Sequence, residues 1–170
     1  MNHEERSQKF DRLARSYGDD LYRFAVWLCR NPALAADLVQ ETYLRAWKAL
    51  DRLQDEKAAK SWLITILRRE FARTFERKVP PIDDIDDVVV AEPNEDGPDD
   101  RTERDRLRLE IARLDAIYRE PLALQVLLGC SIAEIAAELE LSQSAVMTRV
   151  HRAREQLKER LSKDDQDPRR

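Results

Sequence analysis

The sequence predicts an all-α protein: a three-to-four-helix N-terminal domain and a C-terminal helix-turn-helix domain, joined by an acidic flexible linker. Three observations carry this reading. Only 3 of 170 residues are Gly, and 38% are charged, a composition rich in helix formers. Apolar residues recur at three- and four-residue steps in both halves, with no strand alternation. Between them lies the run PPIDDIDDVVVAEPNEDGPDDRTERD, whose prolines and like charges oppose packing.

In the first helix Phe10, Leu13, Ala14, Tyr17, Leu21, Phe24, Ala25 and Leu28 form one stripe. Asn31 then caps a second helix with Pro32 at its first position, running to about Leu50. Asp51 to Lys60 is polar and reads as a loop. Ser61 is placed to cap a third helix, Trp62 to about Lys78, with Trp62, Leu63, Ile66, Leu67, Phe71 and Phe75 as its apolar side.

The second half is read from Arg106, with the stripe Leu107, Ile111, Leu114 and Ile117 or Tyr118. Pro121 implies a restart or kink, and Gly129 a stop. Ser131 caps a short helix to Leu139. Glu140-Leu141 makes a tight turn, and Ser142 caps a long last helix with Val146, Val150, Ala153, Leu157 and Leu161 inward. These readings divide the chain into residues 1–79, a linker 80–105, a domain 106–163 and a disordered tail 164–170.

The formal net charge is −4, which taken whole argues against a nucleic-acid binder. By segment the picture changes. Residues 1–79 hold 16 basic and 12 acidic side chains, 80–105 hold 2 and 11, and 106–170 hold 12 and 11. One acidic block therefore masks two net-basic halves. The third helix carries Arg69, Arg73 and Arg77 at steps of four, with Arg68 and Lys78 beside them, a row suited to phosphates. In the last helix, Gln143, Ser144, Met147, Thr148, His151 and Arg152 would face DNA base edges, with Arg149 and Arg154 adding charge.

Enzyme readings are weak. His3 lies in a terminus expected to fray, and His151 sits among arginines. Neither has metal-ligand spacing, so no metal and no cofactor is expected. Asp37 and Glu41 resemble half a carboxylate site but lack the Glu-x-x-His partner. Cys29 and Cys130 read as buried structural thiols. No apolar run is long enough to span a membrane, and the N-terminus has no secretory pattern. These point to a cytoplasmic chain without membrane insertion or a small-molecule substrate.

At this point the chain resembles bacterial sigma factors of the extracytoplasmic-function type. The resemblance lies in Ala36-Asp37-Leu38-Val39-Gln40-Glu41-Thr42-Tyr43-Leu44-Arg45-Ala46-Trp47, then Ser61-Trp62-Leu63-Ile64-Thr65-Ile66. It continues in Ser131-Ile132-Ala133-Glu134-Ile135-Ala136 and in Val146 to Arg154. It implies that Asp37, Gln40, Glu41, Leu44 and Arg45 contact core RNA polymerase. It implies that the Asp51–Lys60 loop captures an unstacked −10 base. Lys57, Lys60, Ser61, Trp62, Arg68, Arg69, Arg73 and Arg77 would then hold −10 DNA. The last helix would read the −35 element, and the acidic linker would thread the polymerase's RNA path. An anti-sigma protein is a further expected partner. Arg69, Arg73, Ala145, Met147 and Glu140 depart from the family's usual residues, so no −35 sequence follows. Two alternatives stay open: a stand-alone helix-turn-helix regulator, and a sigma-mimicking interaction protein without a DNA role.

Overall fold

A computed structural model of the protein describes residues 2–74 and 98–164. It divides into two units, residues 1–81 and 82–170, and each is taken by itself. Among the described residues there are seven α-helices and no strand.

The first unit contains α1 (His3–Cys29), α2 (Pro32–Ala49) and α3 (Ala59–Thr74). Helix α1 does not fray at His3. The Asn2 side chain accepts from the Glu5 N–H at 2.8 Å, and the Glu5 carboxylate accepts from the Asn2 N–H at 2.9 Å, a reciprocal cap. The His3 ring also meets the edge of Trp47 with centroids 6.1 Å apart. At the other end Arg30 turns left-handed, φ 53°, and its N–H donates to Val26 at 2.7 Å. Asn31 caps α2 as expected, accepting from Ala33 and Leu34 at 3.0 and 3.2 Å.

Each of the three helices packs on the other two. Leu21, Phe24, Ala25, Leu38, Ala46, Leu63 and Leu67 are buried between them. A second cluster, Leu13, Leu50, Leu53 and Ala59, is covered by Phe10, Tyr17, Trp47 and Trp62. The segment after α2 is shorter than expected. It makes two 3₁₀ turns, Leu50–Arg52 and Glu56–Ala58, and runs directly into α3. Ser61 is therefore not a cap: it lies inside α3, its hydroxyl donating to the Ala58 carbonyl at 3.0 Å. Asp55 fills that role for the preceding turn, accepting from the Lys57 N–H at 2.9 Å. The expected end of α3 near Lys78 lies outside the described residues.

Cys29 is buried, and Cys130 is only half-buried. Burial pushes the Cys29 thiol well above the ordinary range, to about 12. The folded thiol thus stays protonated where an unfolded one, near about 8.5, has ionised. Its contribution to stability is intact below about pH 8.5 and is lost as pH rises toward 12. In the native protein at pH 8, iodoacetamide should modify Cys130 roughly tenfold or more faster than Cys29. Equal rates by peptide mass spectrometry would show that Cys29 is not sequestered.

The second unit contains α4 (Pro98–Ala112), α5 (Ala116–Val126), α6 (Ile132–Leu139) and α7 (Gln143–Asp164). Helix α4 starts inside the segment that composition reads as linker. Proline at a first helical position lacks only an N–H that has no helical partner, so Pro98 begins the helix rather than blocking it. The break in this half falls at residues 113–115, and Pro121 lies inside α5. Its missing N–H leaves the Ile117 carbonyl without a helical partner. Ile117 is 51% exposed, on a side where water can take that bond. Gly129 does end the segment, with φ 62°, and the Cys130 N–H returns to Leu124 at 3.1 Å.

Two buried ionic groups hold this unit. The Arg119 guanidinium, on α5, donates to the carbonyls of Ala112 and Leu114 at the end of α4. Glu110, on α4, lies 2.7 Å from Arg113 and 3.8 Å from Arg160 of α7. Leu114, Leu122, Leu124, Leu128, Ile135, Val146 and Ala153 form the apolar core.

Candidate functional site

Helix α2 presents one polar face. Asp37, Gln40 and Leu44 are exposed at three- and four-residue steps, with Glu41 and Arg45 half-buried beside them. Leu44 is 52% exposed, an apolar side chain set among hydrogen-bonding groups. Such a mixture on a rigid helix suits a protein partner. Arg45 is tied down by Glu41, its Nε 3.1 Å from the carboxylate.

The next group surrounds the start of α3. Lys57 and Ser61 are exposed and Lys60 is half-buried. Trp62 is also half-buried, packed on the Leu13 cluster. Further along, Arg69 and Arg73 are exposed one turn apart, with Arg68 half-buried. Arg77 lies outside the described residues, as do Phe75 and Lys78.

The inward side of α3 differs from the expected one. Leu63, Ile64, Leu67 and Glu70 are buried, while Trp62, Ile66 and Phe71 are half-buried. Glu70 is the unexpected member. Its side chain is only 8% exposed, and it lies 3.5 Å from Arg45 of α2 and 3.4 Å from Arg73 of α3. One buried carboxylate thus joins the α2 face to the basic row of α3. Two arginines offset what would otherwise be an unpaired charge in a poor solvent. The sequence holds one clue: Glu70 stands three residues after Leu67 and seven after Leu63, on the inward stripe.

In the second unit α6 and α7 meet at a tight turn. Ser131 and Glu134 form a reciprocal cap at 2.7 and 3.2 Å. Glu140 then adopts a left-handed conformation, φ 55° and ψ 44°, where glycine is easier by about 1–2 kcal/mol. The Leu141 N–H returns to Ala136 at 2.9 Å, and Ser142 caps α7 by accepting from Ala145 at 3.1 Å. Val146, Val150, Ala153 and Leu157 face inward. That leaves Gln143, Ser144, Met147, Thr148, His151 and Arg152 exposed together. Arg149 is half-buried, and Arg154 is partly committed, donating to Gln125 of α5 at 2.7 Å. No cluster of metal-binding side chains occurs among the described residues, and none of their helices is long and apolar enough to cross a membrane.

The chain matches two protein families in order: Sigma-70 region 2 over residues 13–79 and Sigma-70, region 4 over residues 104–157. It is 32% identical to the ECF RNA polymerase sigma factor EcfG of Rhodopseudomonas palustris, covering 81% of this chain and 76% of that protein. The chain belongs to the extracytoplasmic-function family of RNA polymerase sigma factors. Two further sigma factors show the spread. SigL of Mycobacterium tuberculosis is 33% identical, covering 78% of this chain and 77% of that protein. SigE of Mycolicibacterium smegmatis is 31% identical over 91% of this chain, which spans 62% of that relative's length. Among solved structures, the sigma factor RpoE from Bartonella quintana, crystallised with the anti-sigma factor NepR, is similar with a TM-score of 0.75. It is 28% identical, covering 91% of this chain and 98% of that one. CnrH in complex with the cytosolic domain of CnrY is similar with a TM-score of 0.69, at 28% identity, covering 93% of this sigma factor and 90% of that chain. Sigma factors of this kind bind core RNA polymerase and promoter DNA and direct promoter recognition.

Proposed function

We propose a division of labour within this sigma factor. Residues 1–79 act as the region 2 domain, 106–163 as the region 4 domain and 80–105, whose last residues open α4, as the tether between them. The α2 face, Asp37, Gln40, Glu41, Leu44 and Arg45, grips core polymerase. The loop before α3 and the row Arg68, Arg69 and Arg73 hold the opening −10 strand. Binding energy that favours the unpaired strand shifts the duplex toward melting, so the factor initiates without catalysing a reaction. The exposed face of α7 reads the −35 element. It works in the cytoplasm, where core polymerase and DNA are, and an anti-sigma protein restrains it. Supporting that last step, a similar structure is a sigma factor in complex with the anti-sigma factor NepR.

The observation that carries the reading is the α7 face. Ser144, Met147, Thr148, His151 and Arg152 lie exposed together behind a capped short helix and a tight turn. That matches the major-groove docking of a recognition helix. Run-off transcription with purified core polymerase tests it. Arg69→Glu and Arg152→Glu should each lower promoter-specific transcript about ten- to a hundredfold, since each replaces a DNA contact by repulsion. Binding to core should be unchanged. If both variants transcribe normally, the assigned DNA faces are wrong. A footprint on duplex DNA without core would instead indicate a stand-alone regulator.

A further inference from the structure

Helix α1 carries three cations at steps of three, and all three reach the same segment in the same order. Arg6 Nη1 lies 2.8 Å from the Asp51 carboxylate. Lys9 Nζ donates to the Leu53 carbonyl at 2.7 Å. Arg12 Nη2 lies 3.1 Å from the Glu56 carboxylate. The helix advances about 9 Å over six residues, and the 51–56 segment keeps pace beside it. Arg6 makes two further contacts, donating to the Trp47 carbonyl and stacking over the Trp47 ring at 5.1 Å.

The segment needs outside support. Among its own backbone bonds are Leu53 N–H to Leu50 at 3.1 Å and Ala58 N–H to Asp55 at 3.1 Å. Leu53 is buried, while Asp51, Arg52 and residues 54–58 are exposed. It also carries three acids, Asp51, Asp55 and Glu56, which would repel a phosphate backbone. Two of them are the partners of Arg6 and Arg12. All three cations precede residue 13, where the match to Sigma-70 region 2 begins, while their partners lie within it.

We propose that Arg6, Lys9 and Arg12 are positioning residues that hold the 51–56 loop in shape and mask its acids, so that it can meet the −10 strand. This rests on the reading of that loop as a promoter contact. Individual surface ion pairs are weak, so the device works as a row, strongest at half-buried Arg6.

The test uses the full-length factor with core polymerase and compares Arg6→Gln, Arg12→Glu and the charge-swapped pair Arg12→Glu with Glu56→Arg. In the free factor, exchange at the Leu53, Lys57 and Ala58 amides should quicken about two- to fivefold in the single variants. Open-complex formation, followed by a fluorescent base in the −10 element, should slow by a similar factor while core affinity holds. The swapped pair should recover both, which lost packing would not. Unchanged amide exchange overturns the clamp. Faster exchange with unchanged opening overturns the loop's promoter role instead, and the functional half of the proposal with it.

Discussion

Phe24→Ala is expected to remove about half of the stability of the N-terminal helical unit. The Phe24 ring is fully buried where α1 packs on α2 and α3. Truncating such a ring costs about 3–5 kcal/mol, because the void only partly collapses. A unit of this size has about 4–11 kcal/mol in total. Urea denaturation should show a lower midpoint with an unchanged slope. Binding to core polymerase should fall in parallel at 37 °C, since α2, the proposed polymerase face, is positioned by the same packing. A loss below about 1 kcal/mol would mean that the site closes over the void, contrary to close packing.

Arg119→Met is expected to cost about 3 kcal/mol in the other unit. Arg119 is 6% exposed, yet it is not a misplaced surface residue. Its guanidinium serves the carbonyls of Ala112, the last residue of α4, and Leu114, in the break that follows. Charged hydrogen bonds of this kind contribute about 1.5–3 kcal/mol each, and an orphaned buried acceptor costs a similar amount. Methionine keeps the volume and removes the donors. Lysine restores the charge but not the planar fork, so Arg119→Lys should recover only part of the loss. Thermal denaturation measures the size, and faster amide exchange across residues 113–126 locates it. Because α5 packs on both α6 and α7, −35-dependent transcription should fail first on warming. Wild-type stability in Arg119→Met would show that the carbonyls are served by water.

Local chemistry was readable before any fold was known. The caps at Asn31, Ser131 and Ser142 need only a side-chain oxygen near a free N–H, and the inward stripes of α1 and α7 need only a period. Features that depend on a distant partner were hidden. Glu70 stands on the inward stripe by period, but its partner Arg45 comes from α2, at no spacing the sequence shows. Arg119 reads as surface until α4 ends beside it. Arg6, Lys9 and Arg12 meet partners 44 or 45 residues away, beyond any helical spacing. Acidic, proline-marked composition hides the start of α4, although Pro98 stands where proline fits a helix. Pro121 allows either a restart or a kink on sequence grounds, and the helix instead runs through it, with the Ile117 position exposed.

Glu70 has a consequence for how this factor can change over evolution or by design. Its carboxylate is shared by an arginine on the proposed polymerase face and one on the proposed promoter face. Replacing Arg73 to alter its grip on DNA also redistributes the field at Arg45, and the reverse holds. On that proposal, promoter contact and polymerase fit are not independent modules here. Grafting α3 alone into a sibling factor transfers half of an electrostatic pair, so the unit of exchange is α2 and α3 together.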